Sequence, residues 1–552
     1  MKNKIRYAFM TFVSVVCLAG ALSSCSDELS EKTLPYLFRP VNFAVTLNSV
    51  NATLSWAAVD SAKSYTVQIS QDSLAFKNII STYTTTNLNY TLELAGNTRY
   101  SARVRANASD TTKDSKYNAT LTFKTPTENI FNGYGTSENT NTVYSAYMTA
   151  LNTLDIKWLP GASVTHLILT NSSGVRDSVL ISSTEGTNGE KIISGLSNST
   201  YTVQIYNNTY LRGTTTGIVE GDVLLNSGDN IATAIANATA GQVILLAAGA
   251  TFTTGSAAIS FNQNIKLRGL SASNRPVVCM TSGVPTSTAN MLAFTAGSTI
   301  NSVQFENIDF NGYCSNNTAA TEIGYLFNSG VLCNVNALTF TNCILRNFGN
   351  TPMRMQKGTG QVISTLSFNG CTIYNIGFSS TYAIVNINNS ADYINNISFA
   401  NCTIYDFKGA FILRTATSVT VTMSSISISN CTFNQSTQDT GTSRCFIDLN
   451  GVTGVTNGVI IQNCILGSNG TIAAGIRSAT SPTITGTYYT SDYNDNSAAV
   501  VSASLGAYSI MAKMTAYSGT STALWTAPLT GNFTLLTSSF AGKGVAGDLR
   551  WY

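Results

Sequence analysis

Arginine recurring at near-constant spacing is the feature of this chain that could do chemistry. Arg354, Arg414 and Arg477 follow one another through the second half, with Asn386 and Asp448 between them. A planar guanidinium grips a carboxylate through two parallel hydrogen bonds, so such a row suits a ligand carrying regularly spaced acids. The same groups could serve an elimination. Arg neutralises a carboxylate, which acidifies the neighbouring C–H, and a Lys or Arg with a depressed pKa takes that proton. Arg414 with Lys408, or Arg354 with Lys357, are the candidate pairs. A second row, Arg346, Tyr374, Tyr405 and Asn434, sets flat aromatic faces beside a cation.

These rows exist only if distant positions stack, and a repeat of roughly thirty residues says that they do. Its core is apolar-x-Phe-x-Asn-Cys-x-apolar. It runs Leu338/Phe340/Asn342/Cys343/Leu345, then Leu366/Phe368/Asn369/Cys371/Ile373 with Gly370 inserted, then Ile397/Phe399/Asn401/Cys402/Ile404. Ile426/Ile428/Asn430/Cys431/Phe433 and Ile461/Asn463/Cys464/Leu466 continue it, and Val303/Phe305/Asn307/Ile308/Phe310 precedes it with Ile in place of Cys. An Asn at one corner of each coil can adopt the left-handed conformation and pass amide hydrogen bonds along the stack. Coils about 4.8 Å apart carry side chains in parallel, too wide and wrongly aimed for a disulfide. The nine cysteines of the second half are therefore expected to be buried thiols acting as small apolar fillers. In that register Arg354, Arg414 and Arg477 stand two coils apart, about 10 Å, near the repeat of a disaccharide.

Composition narrows the class. Charged residues make up 10% of the 552 residues and the net charge is +3. That excludes the dense cationic surface that nucleic acid requires. Abundant β-branched residues with almost no helical periodicity give an all-β chain. Residues 40–125 and 126–218 repeat each other. Leu54-Ser55-Trp56, Tyr65–Ile69, Leu92–Leu94 and Tyr100–Val104 answer to Ile156-Lys157-Trp158, His166–Leu169, Leu196 and Tyr201–Ile205, with Trp56 as far from Leu94 as Trp158 from Leu196. A buried Trp with a later Leu and corner Tyr resembles the fibronectin type III sandwich. One module could grip glycan, but neither shows an evident cluster of exposed aromatics, and the spacer reading is favoured. His166, the single histidine, reads as a strand residue.

The remaining resemblances bear on location and family. Lys2, Lys4 and Arg6 precede an apolar run that ends in Leu22-Ser23-Ser24-Cys25, which resembles the lipobox of bacterial lipoproteins. That implies a signal peptide over 1–24, lipid on Cys25 and a tether over 25–39. Asp27 and Glu28 just after Cys25 resemble a surface-export signal of glycan-degrading Gram-negative bacteria, implying an outer-membrane protein facing the exterior. The periplasmic face stays open. Residues 219–552 begin with an amphipathic helix near 231–238 and the strand Val243–Leu246, resembling the cap and first coils of the pectate-lyase-like right-handed parallel β-helix. The ending Gly547-Asp548-Leu549-Arg550-Trp551 resembles that of a family of β-helix lipoproteins from glycan-utilisation loci, where Pro is expected at the place of Leu549.

Three functions fit. The first is a surface protein binding an acidic, pectin-like polysaccharide, alongside other glycan-utilisation surface proteins. The alternative is a polysaccharide lyase, for which the superfamily implies Ca²⁺. The acids Asp392, Asp406, Asp439 and Asp448 are scattered, without the tight cluster such a site needs. A glycoside hydrolase is disfavoured, because no Asp-Asp pair occurs in the second half. The third is a scaffold. No metal site is expected.

Overall fold

The computed structural model describes residues 35–552, apart from 73, 138–142, 256, 281–287, 315–321, 357–359, 379–381, 388, 390, 415–421, 436–444, 450–451, 453, 470–474, 479 and 495–506. Cys25 and Lys357 lie outside the described residues. The chain divides into two compact units, residues 1–129 with 209–212, and residues 130–208 with 213–552.

Each of the first two modules is a sandwich of a three-stranded and a four-stranded antiparallel sheet. In the first, strands 44–48, 51–55 and 89–93 face strands 79–85, 64–70, 99–107 and 118–124. The second repeats this order with 146–150, 153–157 and 190–193 against 176–180, 166–171, 199–207 and 210–219. That shared order is the fibronectin type III arrangement. Period-two alternation drives it, since the inward residues Val67, Ile69, Ala102 and Val104 are fully buried. Trp56 and Trp158 fill the two cores. The Tyr100 hydroxyl accepts the Ala95 N–H at 3.0 Å, and the Tyr201 hydroxyl donates to the Ser197 carbonyl at 3.1 Å. His166 lies in a strand, its ring stacked on Tyr206 at 5.2 Å.

The rest is a parallel β-helix built from three stacked sheets, right-handed as crossover connections between parallel strands require. Its first sheet runs from 223–225 to 483–485, its second from 251–253 to 515–516, and its third from 259–261 to 507–508. The helix Ile231–Asn237 closes the leading end. Asn230 caps it by accepting the Thr233 N–H at 2.9 Å, and Ile231 and Ile235 bury against the first coils. No helix of the described residues is long and apolar enough to cross a membrane. The second module is not separable at residue 218: Val219, Leu245 and Leu270 share one core with Trp158.

Inside, the repeat stacks as its spacing predicts. Phe305, Phe340, Phe368 and Phe399 pile at centroid distances of 5.0, 4.8 and 4.5 Å. Cys343, Cys371, Cys402, Cys431 and Cys464 are buried free thiols, and burial pushes Cys371, Cys402 and Cys431 well above the usual thiol range.

Two expectations need correction. The corner position belongs to Asn307, Asn342, Gly370, Asn401, Asn430 and Asn463, all at positive φ. Gly370 is therefore no insertion. Asn369 pairs with Thr341 and Ala400, one place earlier. A Cβ on Gly370 would sit 2.4 Å from Asn342 Oδ1, so that side chain would have to shift to admit one. The ladder is carried mainly by backbone: Asn342 N–H donates to the Asn369 carbonyl at 2.8 Å, and Asn401 N–H to that of Ser429 at 3.0 Å, with one side-chain amide bond from Asn401 Nδ2 to Asn369 Oδ1 at 3.1 Å. Secondly, Cys279 and Cys314 form a disulfide, with Cα atoms 5.5 Å apart. They fall outside the Asn-Cys column. Cys279 pairs with Asn311, three residues before Cys314, so the bridge joins a strand to the loop after its neighbour.

Candidate functional site

Strand register decides which side chains the coils present together. The first predicted row is aligned as expected: Arg346, Tyr374, Tyr405 and Asn434 pair in succession. It is nonetheless covered. Tyr405 is 7% exposed and packs with Leu524, Trp525, Phe533 and Phe540 from the C-terminal segment. Its ring stacks on Tyr374 at 4.9 Å on one side and meets Phe533 edge-on. Arg346 forks the carboxylate of Asp309 at 2.9 and 3.0 Å. The expected sugar platform is thus the floor of a second hydrophobic core.

The C-terminal signature fastens that cover. The buried Asp548 carboxylate accepts the Thr403 hydroxyl at 2.7 Å, and its N–H donates to the Thr432 hydroxyl at 2.9 Å. Arg550 pairs with Asp548 and donates to the carbonyls of Gly370 and Cys371 at 2.8 and 3.2 Å. Trp551 Nε1 donates to the Thr403 hydroxyl at 2.8 Å. The motif holds coil corners.

The second predicted row lies on the third sheet, where one member is misplaced. Arg354 pairs with Asn386, but Asn386 pairs with Leu413, which leads on to Asp448 and Arg477. Arg414 instead aligns with Ile387 and Met355, one residue further along. A one-residue shift turns a strand side chain to the opposite face, so Arg414 points inward. It is fully buried and donates to the Asp392 carbonyl at 2.7 Å, with burial pulling its pKa down. It offers no surface to a ligand and forms no external pair with Lys408, whose ammonium lies 4.6 Å from the Phe378 ring centroid. Arg477 is held by Asp448 through two hydrogen bonds, one of 2.7 Å.

Arg354 differs from both. Its guanidinium stands 4.2 Å from the ring centroid of Tyr382 and 5.3 Å from that of Tyr325, and donates to the Tyr325 hydroxyl at 2.6 Å. Among the described residues no carboxylate pairs with it, and its Nε has no partner. Asn328, the residue beside it on the previous coil, leaves Oδ1 unpartnered, and Asn386 on the next leaves Nδ2 so. Burial raises the Tyr325 hydroxyl pKa while the Arg354 charge opposes that rise. Sequence reasoning missed Asn328, Tyr325 and Tyr382. Extending the row back one coil from Arg354 would have found Asn328.

One further group sits where the second sheet turns into the third. Asn375 Nδ2 donates to Asn347 Oδ1 at 2.7 Å and to Glu322 Oε1 at 2.9 Å. Burial pushes the Glu322 carboxyl above its usual range, and the charge of Asp406 adds to this. Among the described residues no three His, Cys, Asp or Glu side chains gather as metal ligands would.

Fold and site together define an all-β protein of two fibronectin type III-like sandwiches and a right-handed parallel β-helix with a polar and aromatic row on its third sheet. Residues 250–407 match a family model described as a domain of unknown function (DUF4957), and residues 426–551 one described as a domain of unknown function (DUF5123). No curated protein matches. Among solved structures the chain is similar to a two-domain fibronectin type III segment of chicken tenascin, at 15% identity over 33% of this chain and 99% of that one, TM-score 0.18. It is also similar to the FN1–FN3 domains of chicken CNTN1, at 15% identity over 34% and 68%, TM-score 0.16. The sandwich assignment rests on the strand order above.

Proposed function

We propose that this protein binds an acidic polysaccharide along the third sheet of its β-helix, with Arg354 as the anchoring cation. The observation that carries this reading is the state of the cations in the predicted rows. Arg346 and Arg477 already hold carboxylates and Arg414 is interior. Arg354 keeps its charge unpaired by any described acid and is braced by two tyrosines. A guanidinium fixed in that way loses little freedom when it grips a carboxylate. Half-buried Asn328 stands beside it on the previous coil, while Asn386 on the next is fully buried and offers no surface to a ligand.

The lyase reading loses its main pair, because Arg414 faces the core, and Lys357, the partner expected for Arg354, lies outside the described residues. Binding needs no base. The lipobox-like segment supports attachment through Cys25 at the outer membrane, facing outward, where such a polymer is met. Metabolic labelling with a radioactive fatty acid, against Cys25→Ser, tests that attachment.

Affinity electrophoresis of the full chain through gels containing polygalacturonate tests the binding. Retardation is expected, and Arg354→Ala should abolish most of it while Arg477→Ala, whose cation is already neutralised, should not. Equal retardation of Arg354→Ala and the parent overturns the reading. Unsaturated product, followed by ultraviolet absorbance in the same mixture, would make the protein a lyase.

A further inference from the structure

The second module and the start of the β-helix share one hydrophobic core, so a cleft between them has walls of fixed spacing. Two adjoining cavities lie there. One of about 340 Å³ is bordered by Tyr147, Thr149, Ser271, Ser273 and Asn274. The other, of about 430 Å³, is bordered by Tyr144, Tyr147, Thr215, Thr216, Arg268 and Glu306. Tyr147 and Met148 line both, so they form one trough. We infer that this trough is a second saccharide-binding site, and that it takes a neutral oligosaccharide.

Its chemistry argues for the class. Aromatic rings supply flat apolar faces, and hydroxyls with one carboxamide supply both donors and acceptors, the mixture that sugar C–H faces and ring hydroxyls call for. Tyr144, Thr149, Thr216, Ser273 and Asn274 are exposed, within reach of a ligand.

Charge argues for neutrality. Lys266 pairs with Glu220 at 2.6 Å and Glu306 at 2.7 Å, and Arg268 pairs with the same two acids at 2.8 and 3.2 Å. Two cations and two anions close on each other beside the trough, leaving no net charge to attract a uronate. Tyr147 is also preset: its hydroxyl donates to Asp155 Oδ2 at 2.8 Å, which fixes the ring. The contrast with Arg354 is direct. One site presents an unpaired cation, the other spends its cations internally.

The inference does not depend on the Arg354 reading, and the test separates them. Isothermal titration of the full chain uses two series of probes: the neutral hexaoses of β-1,4-xylan, β-1,4-mannan and β-1,4-glucan, and hexagalacturonate. At least one neutral hexaose is expected to bind. Ser273→Trp, which fills the trough from an exposed position, should weaken that binding at least tenfold and leave hexagalacturonate unaffected. Arg354→Ala should do the reverse. Tyr147→Ala should also lose the neutral ligand; because its hydroxyl bond to Asp155 has a structural part, Ser273→Trp with an unchanged circular dichroism spectrum is the deciding variant. If none of the three neutral hexaoses binds, or if Ser273→Trp binds as the parent does, the inference is overturned.

Discussion

A residue's worth in this protein depends on which way its strand turns it. Arg354 and Arg414 look alike in the sequence, yet the first stands on the outer face with an unpartnered Nε and the second is sealed in the core. Losing a charge-assisted carboxylate contact costs about 1.5–3 kcal/mol, roughly tenfold to a hundredfold in affinity. Arg354→Ala should weaken polygalacturonate binding by that factor, read by isothermal titration. Gly370 offers a second case. At φ +66° with Asn342 Oδ1 in the space of its missing Cβ, Gly370→Ala should lower stability by more than about 1 kcal/mol in urea unfolding. Asn369→Ala gives up one exposed amide contact to Asn401 and should cost about half as much or less. The sequence pointed to asparagine at that corner but could not tell Asn369 from Gly370, because both suit a turn. Only the strand register separates them, by pairing Asn369 with Thr341 and Ala400.

Elements here are fixed by their ends and their covers. The short helix Ser183–Asn188 is closed by a capping box: Ser182 accepts the Glu185 N–H, and Glu185 accepts the Ser182 N–H at 2.7 Å. Lys191 and these bonds pull the Glu185 carboxyl down to about 2 from 4.5. A depressed carboxyl stabilises the fold at pH above its unfolded value, and that contribution is lost as pH falls from about 4.5 towards 2. Glu185→Gln should therefore flatten the acid limb of the stability profile over that window, measured as Tm against pH. The C-terminal segment is the larger cover. Arg550→Ala would leave buried Asp548 without its cation and the Gly370 carbonyl without this donor, while the Cys371 carbonyl keeps the Thr403 N–H. A loss of about 3 kcal/mol or more is expected, visible as a fall in Tm. Nothing in residues 524–552 announced that they would lie on Tyr374 and Tyr405. A row of tyrosines reads the same whether it meets sugar or Trp525, Phe533 and Phe540 from the same chain, and periodicity carries no information about a segment that does not repeat.

At the scale of the molecule, the stacked coils were legible because their evidence is periodic. Phe340, Phe368 and Phe399 recur at one inward place, and Cys343, Cys371 and Cys402 recur three residues later at another. Cys279 and Cys314 belong to no such column, and their pairing depended on a loop whose path the repeat does not define. Alkylation of the native protein should accordingly label none of Cys343, Cys371, Cys402, Cys431 and Cys464, since thiols buried in the stack are out of reach of the reagent. Peptide mapping without reductant should recover 279 linked to 314. Labelling of any column cysteine under native conditions would mean that the stack opens locally.

The strap formed by residues 547–551 gives the solenoid an order of assembly. Arg550 grips a carbonyl 180 positions upstream, and Trp551 a hydroxyl 148 positions upstream. A chain synthesised from its N-terminus must hold its central rungs unfastened until this last stretch emerges, so the middle of the solenoid is finished after its end.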